Sequence, residues 1–242
     1  MSNKIKSHLK QQEFFPGWTG IFTNPSYQER KIIAKKIGFY APRLHGKLLD
    51  YGCGSKPYKE LFINVQSYVG IDMENPGHDH KNEEIDVFYD GKTIPFANDE
   101  FDCVFSSQVL EHVSDIDQSI SEINRVLKPA GLFLATIPFV FIEHEIPNDY
   151  RRLTVYGMEE ILKKYNFEIV EIERLGTYTD VINQLKIMYF MNRKFFRKKL
   201  SRPIRKLIFG YYNLKSIIYN FLLPKDTTMY ENIIVLAKKC AQ

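Results

Sequence analysis

The sequence lacks the features of several protein classes. Its 242 residues include three cysteines, Cys53, Cys103 and Cys240, which lie far apart and form no Cys-x-x-Cys pair. This spacing argues against a disulfide framework or a structural zinc site, and we expect no bound metal. No run of about 18 apolar residues is present, which disfavours a membrane-spanning helix. The first residues contain no apolar core of a secretory signal, so we expect a cytoplasmic protein.

Acidic residues are absent from one long segment. Between Val181 and Lys225 the chain has 11 basic residues and no acidic one, although the formal net charge of the protein is only +4. The remaining sequence holds 22 basic and 29 acidic residues, so an acidic body carries a basic patch. Apolar residues from Pro203 to Leu223 follow helical spacing, at positions 204, 207, 208, 211, 214, 218, 221 and 222. This stripe predicts a lid helix or a helix on an anionic membrane surface, and it disfavours nucleic-acid binding.

Strand and helix patterns alternate along the chain. We predict strands at Lys47–Tyr51, Ser67–Asp72, Ile85–Tyr89, Phe101–Ser106, Leu132–Ile137, Phe167–Arg174 and Asn232–Ala237. We predict helices at Tyr27–Tyr40, Pro57–Phe62, Ile116–Leu127 and Thr154–Tyr165. This alternation predicts an α/β fold with a doubly wound, mostly parallel seven-stranded sheet. The expected parts are an N-terminal helical cap (1–46), a cofactor-binding core (47–174), a basic amphipathic helical insertion (175–228) and a final core strand with a tail (229–242).

Two glycines follow the first predicted strand. Gly52 and Gly54 allow the backbone to turn sharply and to approach a ligand closely at the carboxyl end of that strand. A dinucleotide-binding loop would have a third glycine near position 57, where this chain has Pro57. The loop therefore disfavours a pyrophosphate ligand.

Three acidic residues lie at the ends of predicted strands. Asp72 ends the second strand, where a carboxylate can accept both hydroxyls of a ribose. Asp90 follows the third strand and can pair with an adenine amino group, and Asp50 lies within reach of an ammonium group. Three carboxylates without a phosphate-binding loop suit a positively charged adenosine ligand.

Five segments carry a resemblance to a known family, in this order along residues 47–139: LLDYGCG, YVGID, DGKTIPF, DEFDCVFSSQVLEHV and EINRVLKPAGLFLATIPF. They resemble the class I S-adenosylmethionine-dependent methyltransferases, and most closely the type 11 methyltransferase family. The resemblance implies a Rossmann-like sheet with an antiparallel last strand and S-adenosylmethionine as cofactor. It also implies cofactor contacts at Gly52, Gly54, Asp72, Met73, Asp90, Gly91, Ile94, Ser106 and Gln108. The chain departs from many members at Lys56-Pro57-Tyr58, where they have a further glycine.

A polar segment, residues 144–154, follows the fifth predicted strand. It resembles members of the family that are associated with bacterial surface-polysaccharide gene clusters. We expect His144 or Asp149 to act as general base, with His112 as another candidate. Tyr150 is expected to shape the acceptor pocket together with Glu145. Arg151 and Arg152 can bind a substrate carboxylate or phosphate, or one of them can form an ion pair with Glu145 or Asp149.

The function predicted from these features is S-adenosylmethionine-dependent O-methylation of a glycan or a lipid-linked sugar in surface-polysaccharide biosynthesis. The expected partners are this small-molecule or glycan substrate and, through the basic insertion, the inner face of an anionic membrane. Two alternatives stay open: methylation of an RNA or a quinone-like lipid, and a non-catalytic cofactor-binding protein.

Overall fold

The computed structural model describes residues 12–73, 84–192 and 201–241. Their seven strands form one mixed sheet in the order β3-β2-β1-β4-β5-β7-β6, mostly parallel and with one antiparallel strand. The strands are β1 (Gly46–Tyr51), β2 (Val65–Met73), β3 (Val87–Tyr89), β4 (Phe101–Ser107), β5 (Leu127–Pro138), β6 (Phe167–Leu175) and β7 (Asn232–Lys239). This architecture confirms the predicted Rossmann-like fold.

Six α-helices accompany the sheet in the described residues. They are α1 (Gly20–Thr23), α2 (Tyr27–Tyr40), α3 (Ile116–Val126), α4 (Val155–Lys164), α5 (Tyr178–Asn192) and α6 (Arg202–Leu222), and two short 3-10 helices lie at Ala41–Arg43 and Lys59–Leu61. The predicted apolar periodicity explains α3, because Ile120, Ile123 and Val126 are fully buried. Asp115 caps this helix by accepting a hydrogen bond of 2.9 Å from the Gln118 N–H.

Strand β5 begins five residues earlier than the sequence predicts. The helix-stopping segment Lys128–Gly131 belongs to the strand as a bulge, because Leu127 pairs with Phe101 and Leu132 pairs with Cys103. Ala130 adopts a left-handed conformation with φ 63° within this bulge. The remaining strand ends differ from the predicted ends by at most two residues.

The strand order reverses between β1 and β4, which is where a sheet of this kind has a crevice at the carboxyl ends of its strands. From β1 the chain continues to β2 on one side, and it later returns to β4 on the other side. Ligands of open α/β sheets bind outside the carboxyl ends of the strands at such a reversal of strand order. The predicted glycine loop and the segment after β4 flank this crevice.

Contacts divide the chain into two compact units. The first comprises the chain up to Lys35, residues 140–142 and Arg174–Asn232, and the second comprises Lys36–Phe139, Glu143–Glu173 and Ile233–Gln242. All the predicted site residues belong to the second unit. The predicted limits of the cap, core, insertion and tail stay predictions.

In the first unit, helix α6 buries a face different from the predicted apolar stripe. Its buried residues are Phe209, Gly210, Asn213 and Ser216. The Asn213 side-chain amide donates a hydrogen bond of 2.8 Å to the carbonyl oxygen of Ile21. The stripe itself is largely exposed, with large exposed side chains at residues 204, 207, 211, 218, 221 and 222. The apolar stripe, which the sequence assigns to a lid or to a membrane-facing surface, is therefore in contact with solvent in this structure.

Part of the basic patch lies outside the described residues, namely Arg193, Lys194, Arg197, Lys198 and Lys199. Among the described residues, no helix combines the length and the apolar character needed to cross a membrane.

Candidate functional site

The loop after β1 brings its backbone close to the segment that follows β4. Gly52 has φ 74°, and a Cβ added to it would lie 2.4 Å from a methyl carbon of Val109. The N–H groups of Gly52 and Cys53 each donate a hydrogen bond of 2.9 Å to the carbonyl oxygen of Ile71, the β2 residue that pairs with Tyr51. Only glycine combines this conformation with this close approach. The loop thus forms one wall of the crevice between β1 and β4.

Two of the predicted carboxylates lie beside this loop. Asp72 accepts a hydrogen bond of 2.8 Å from the Gly54 N–H, which links the end of β2 to the loop. Asp50 is buried, and the Tyr68 hydroxyl donates a hydrogen bond of 2.5 Å to its Oδ2. Burial raises the pKa of Asp50 to about 7, and the negative charge of Asp72 adds to this rise. A buried carboxylate with this pKa is suited to binding a cationic group.

The third predicted carboxylate, Asp90, is exposed at the end of β3. Its Oδ1 accepts hydrogen bonds from the N–H groups of Thr93 and Lys92, at 2.9 and 2.8 Å, and these lower its pKa. Gly91 has φ 76°, and a Cβ added to it would lie 2.6 Å from the Met73 sulfur. Asp90, Gly91 and Met73 therefore adjoin one another, as predicted for an adenine site.

Lys56 begins the Lys56-Pro57-Tyr58 run, which departs from the pattern of the family that the sequence resembles. It adopts φ 50°, a left-handed conformation that the missing glycine would adopt more easily. Its buried ammonium group lies 2.6 Å from Asp86, which also accepts a hydrogen bond of 2.6 Å from the Gly70 N–H. This ion pair holds the loop beneath strand β2, so the chain keeps a tight turn without the glycine.

At the end of β4, two predicted cofactor contacts differ in burial. The Ser106 side chain is buried and its hydroxyl has no hydrogen-bond partner among the described residues, so its implied cofactor contact stays a prediction. Gln108 lies at the edge with φ 59°, and its Nε2 donates a hydrogen bond of 3.2 Å to the Thr136 hydroxyl. Both residues stay candidates for the sulfonium side.

The two predicted histidines lie against each other. The segment after β4 carries His112 and the segment after β5 carries His144, and their Nε2 atoms are 3.1 Å apart. His112 lies in the turn that precedes α3, which begins at Ile116. Its Nδ1 lies 2.7 Å from the carbonyl oxygen of Asn148, whereas the Nδ1 of His144 lies 3.3 Å from Asp149.

Asp149 is held by an arginine in a way that removes it from the candidate bases. Arg152 donates two hydrogen bonds to its carboxylate, of 2.5 and 2.7 Å, and the His144 N–H donates a third of 3.0 Å. The bond from Arg152 is the main cause of a pKa far below the usual range, so Asp149 stays ionised. A carboxylate this weakly basic orients His144 but does not take a proton from a hydroxyl, which corrects one of the two predicted bases.

Both arginines are engaged within the protein, so neither is a free anion-binding group as one interpretation of the sequence proposed. Arg151 donates three hydrogen bonds to backbone carbonyl groups, those of Leu110, Val113 and Ser114. It fixes the segment that carries His112. The ion pair of Arg152 with Asp149 is the alternative that the sequence left open.

Glu145 and Tyr150 stay accessible beside the histidines. The Glu145 side chain is 57% exposed, and its Oε2 lies 4.0 Å from the His112 Nε2. Tyr150 is half exposed, and its hydroxyl donates a hydrogen bond of 3.1 Å to the Asn148 side chain. Both are placed where an acceptor molecule can contact them.

The sequence analysis missed Glu111. Its side chain is fully buried, and neither carboxylate oxygen has a hydrogen-bond partner among the described residues. Its Oε1 lies 3.8 Å from the His112 Nε2, and burial raises its pKa to about 8. Its place next to His112 in the chain was a signal, but an acidic residue between a predicted strand and a predicted helix is expected to be exposed.

Comparison with known families agrees with this arrangement. Residues 49–135 match the family model of the methyltransferase domain. The match spans the glycine loop, Asp72, Asp90 and Gln108, and the matched model is of the domain type that the sequence resembles. It ends before the segment that carries His144.

Two curated relatives match a similar part of the chain. One is the ubiquinone biosynthesis O-methyltransferase of Brucella ovis, which is 34% identical over 159 residues, or 59% of this chain and 58% of the relative. The other is a protein of Mycolicibacterium smegmatis described as a probable S-adenosylmethionine-dependent methyltransferase, 30% identical over 155 residues, or 59% of each chain. The chain thus spans less than two thirds of the length of these relatives.

A solved structure with the same fold is that of the (4+2)-cyclase SpnF. It superposes with a TM-score of 0.56 at 20% identity and covers 89% of this chain and 84% of its own. Likeness at this level shows the fold alone.

Proposed function

We propose that the protein is an S-adenosylmethionine-dependent methyltransferase that methylates a hydroxyl group of a small-molecule or glycan acceptor. The observation that carries the proposal is the crevice between β1 and β4, where the Gly52 loop meets the end of β4 beside buried Asp50. The buried carboxylate suits the ammonium group of the cofactor. The other proposed cofactor contacts are Gly54, Asp72, Met73, Asp90, Gly91, Ser106 and Gln108.

The acceptor is proposed to lie at His112 and His144, on the next two loops along the same sheet edge. Methyl transfer from a sulfonium group is an in-line displacement, in which the acceptor oxygen bonds to the methyl carbon as the carbon–sulfur bond breaks. The protein contributes alignment, and the histidines and Glu145 surround the oxygen that loses its proton. Asp149 is a positioning residue, because it contacts His144 and Arg152 rather than the acceptor.

A sugar hydroxyl on a glycan or a lipid-linked intermediate is the proposed acceptor class. The polar, partly exposed side chains of Glu145 and Tyr150 supply the hydrogen-bonding groups that a polyhydroxylated molecule needs. A quinone-like lipid is the second acceptor class, since the Brucella relative carries the name of a ubiquinone O-methyltransferase.

Contact with an anionic membrane surface is proposed for helix α6. Leu207, Tyr211 and Phe221 are exposed by 70%, 61% and 86%, and the helix also carries Arg202, Arg205, Lys206 and Lys215. Exposed apolar side chains with basic neighbours bind anionic bilayers in the plane of the interface. This property would bring the enzyme to a lipid-linked acceptor.

A methyl-transfer assay tests the activity. The full chain is incubated with S-adenosylmethionine labelled in its methyl group and with fractionated cell extract, including the lipid-soluble fraction. We expect label to enter one chemically defined fraction, and we expect His144→Ala to abolish the transfer while cofactor binding is retained. His45→Ala is the matched control, because His45 is exposed in the same unit and away from the site. Full turnover by His144→Ala would place the acceptor elsewhere.

A further inference from the structure

The buried carboxylate of Glu111 lacks an interaction that would compensate for its loss of solvation. A carboxylate buried without hydrogen bonds loses the solvation of its oxygens and gains nothing in return, so such groups are rare in folded proteins. Both Glu111 oxygens lack a hydrogen-bond partner among the described residues, although its backbone carbonyl accepts a hydrogen bond of 2.9 Å from the Tyr150 N–H. The backbone carbonyl of Glu111 thus has a hydrogen-bond partner, whereas its carboxylate oxygens have none among the described residues. A cation that binds these oxygens would supply what the protein groups do not.

The two histidines present nitrogen lone pairs to the same place. A carbonyl oxygen only accepts hydrogen bonds, so the His112 Nδ1 that lies 2.7 Å from the Asn148 carbonyl carries the proton of that ring. Its Nε2 is then an acceptor. The His144 Nδ1 faces the ionised carboxylate of Asp149, which favours a proton on that nitrogen too. Two such Nε2 atoms 3.1 Å apart are held together either by a proton on one of them or by a metal ion that both bind.

The distances suit coordination of one ion. The donor atoms of Glu111, His112 and His144 lie within 4.8 Å of one another, and the Glu111 Oε1 is 3.8 Å from the His112 Nε2. Ligand atoms around tetrahedral zinc are separated by about 3.3 Å, given metal–nitrogen distances of about 2.0 Å. Small side-chain adjustments therefore bring all three groups into contact with the same ion.

The groups around the two histidines set their tautomers and ring orientations in the way that is usual in metal sites. Metal-binding histidines usually donate their other ring N–H to a carboxylate or a backbone carbonyl, which sets the tautomer and the ring orientation. Here His144 has Asp149 and His112 has the Asn148 carbonyl in these roles. Asp149 is itself held by Arg152, so the supporting layer is complete without a metal.

We propose that Glu111, His112 and His144 bind a divalent first-row transition-metal ion of the zinc class. Two imidazoles and one carboxylate are a ligand set for such ions, and three protein ligands leave a position open for a water or a substrate oxygen. The spacing rules for structural zinc miss this site because it has no cysteine and two of its ligands are 32 residues apart in the chain.

The catalytic role of the ion rests on the proposed function. The acceptor hydroxyl binds at the open position, and the ion lowers its pKa. Its proton passes to the Glu145 carboxylate, and the oxygen then bonds to the methyl carbon of the cofactor. The carbon–sulfur bond breaks with its electron pair left on sulfur, so the products are a methyl ether and the neutral thioether. The ion itself is neither oxidised nor reduced.

Metal binding is measured on the untagged full chain after treatment with a chelator. Zn²⁺ is titrated by calorimetry in the presence of a competing chelator, and Co²⁺ is titrated by visible absorption. We expect one equivalent of tight binding and the absorption bands of tetrahedral or five-coordinate cobalt with nitrogen and oxygen ligands. Glu111→Gln and His144→Ala are expected to weaken Zn²⁺ binding by more than about 100-fold, and Asp149→Asn by about 10- to 100-fold. His45→Ala should leave it unchanged.

The measurements distinguish absence of the metal site from failure of the proposed methyltransferase function. S-adenosylmethionine affinity and circular dichroism are measured on every sample, so loss of folding is recognised directly. If Glu111→Gln or His144→Ala does not fold, the cobalt spectrum of the wild type decides. Absent cobalt bands, or equal Zn²⁺ affinity in the wild type and in a folded ligand variant, would overturn the metal site. The proposed function fails instead if one metal ion binds but the protein does not bind S-adenosylmethionine.

Discussion

The pH dependence of cofactor binding follows from the buried carboxyl group of Asp50. Its pKa of about 7 means that the free protein holds a proton there below neutral pH. An ammonium group binds the ionised form, so binding releases this proton and weakens as the pH falls. The ionised fraction drops from about three quarters at pH 7.5 to about 1% at pH 5, so the Kd of S-adenosylmethionine should rise roughly 75-fold, or about 2.5 kcal/mol.

Calorimetry between pH 5 and pH 7.5 tests this expectation, since the α-amino group of the cofactor, with a pKa near 8, stays protonated over this range. Asp50→Asn keeps an oxygen that accepts the hydrogen bond from Tyr68. This variant should bind the cofactor weakly and with no pH dependence. Asp90→Asn is the matched control, because Asp90 is exposed and its pKa is lowered, so it should weaken binding without changing the slope.

The stability of Asp50→Asn separates a binding effect from misfolding. A carboxyl group with a raised pKa keeps its proton in the folded chain after the unfolded chain has lost it, so the folded state loses stability as the pH rises from about 4 to 7. The variant removes this loss and should have a higher Tm than the wild type at pH 7.5 without cofactor. A wild-type Kd that is constant from pH 5 to 7.5, or a slope that survives in Asp50→Asn, would refute the reasoning.

Two further substitutions probe the loops on either side of the crevice. Gly52→Ala places a methyl group 2.4 Å from a Val109 methyl carbon at a residue with φ 74°, so it should destabilise the protein by about 1–3 kcal/mol and weaken cofactor binding. The control is Gly38→Ala, a substitution within a helix whose added Cβ has its nearest neighbouring atom at 3.9 Å, and it should have neither effect. Equal Tm values for the two variants would contradict the close approach. Arg151→Ala removes three hydrogen bonds to backbone carbonyl groups and should lower the free energy of unfolding in urea by about 2–4 kcal/mol. Arg43→Ala breaks a surface ion pair with Glu171 and a contact with the Tyr40 ring and should cost less than about 1 kcal/mol, so similar losses would argue against the role of Arg151.

The order and type of the main elements could be predicted because each follows from a local pattern. The apolar spacing of α3, its Asp115 cap and the acid at the end of β2 are all properties of short segments. The bulge that lengthens β5 depends instead on pairing with Phe101, which no pattern within residues 128–131 reveals.

The candidate site was predictable by residue type but not by partner. The sequence identified His112, His144 and Asp149 as candidate site residues because they are polar and follow neighbouring strands. It could not show that Arg152 neutralises Asp149 or that Glu111 is buried, because both depend on contacts between separate segments. The exposure of the apolar stripe of α6 could not be predicted for a similar reason, since periodicity identifies an apolar face but not the surface that this face contacts.

The central claim is that the crevice beside β1 binds S-adenosylmethionine as a methyl donor. Calorimetry with the full chain at pH 7.5 tests it most directly, with Asp72→Asn titrated alongside. The account predicts one binding site with a Kd below about 1 mM, and binding at least about tenfold weaker in the variant. No detectable heat at millimolar cofactor, or the same Kd in Asp72→Asn, would contradict it.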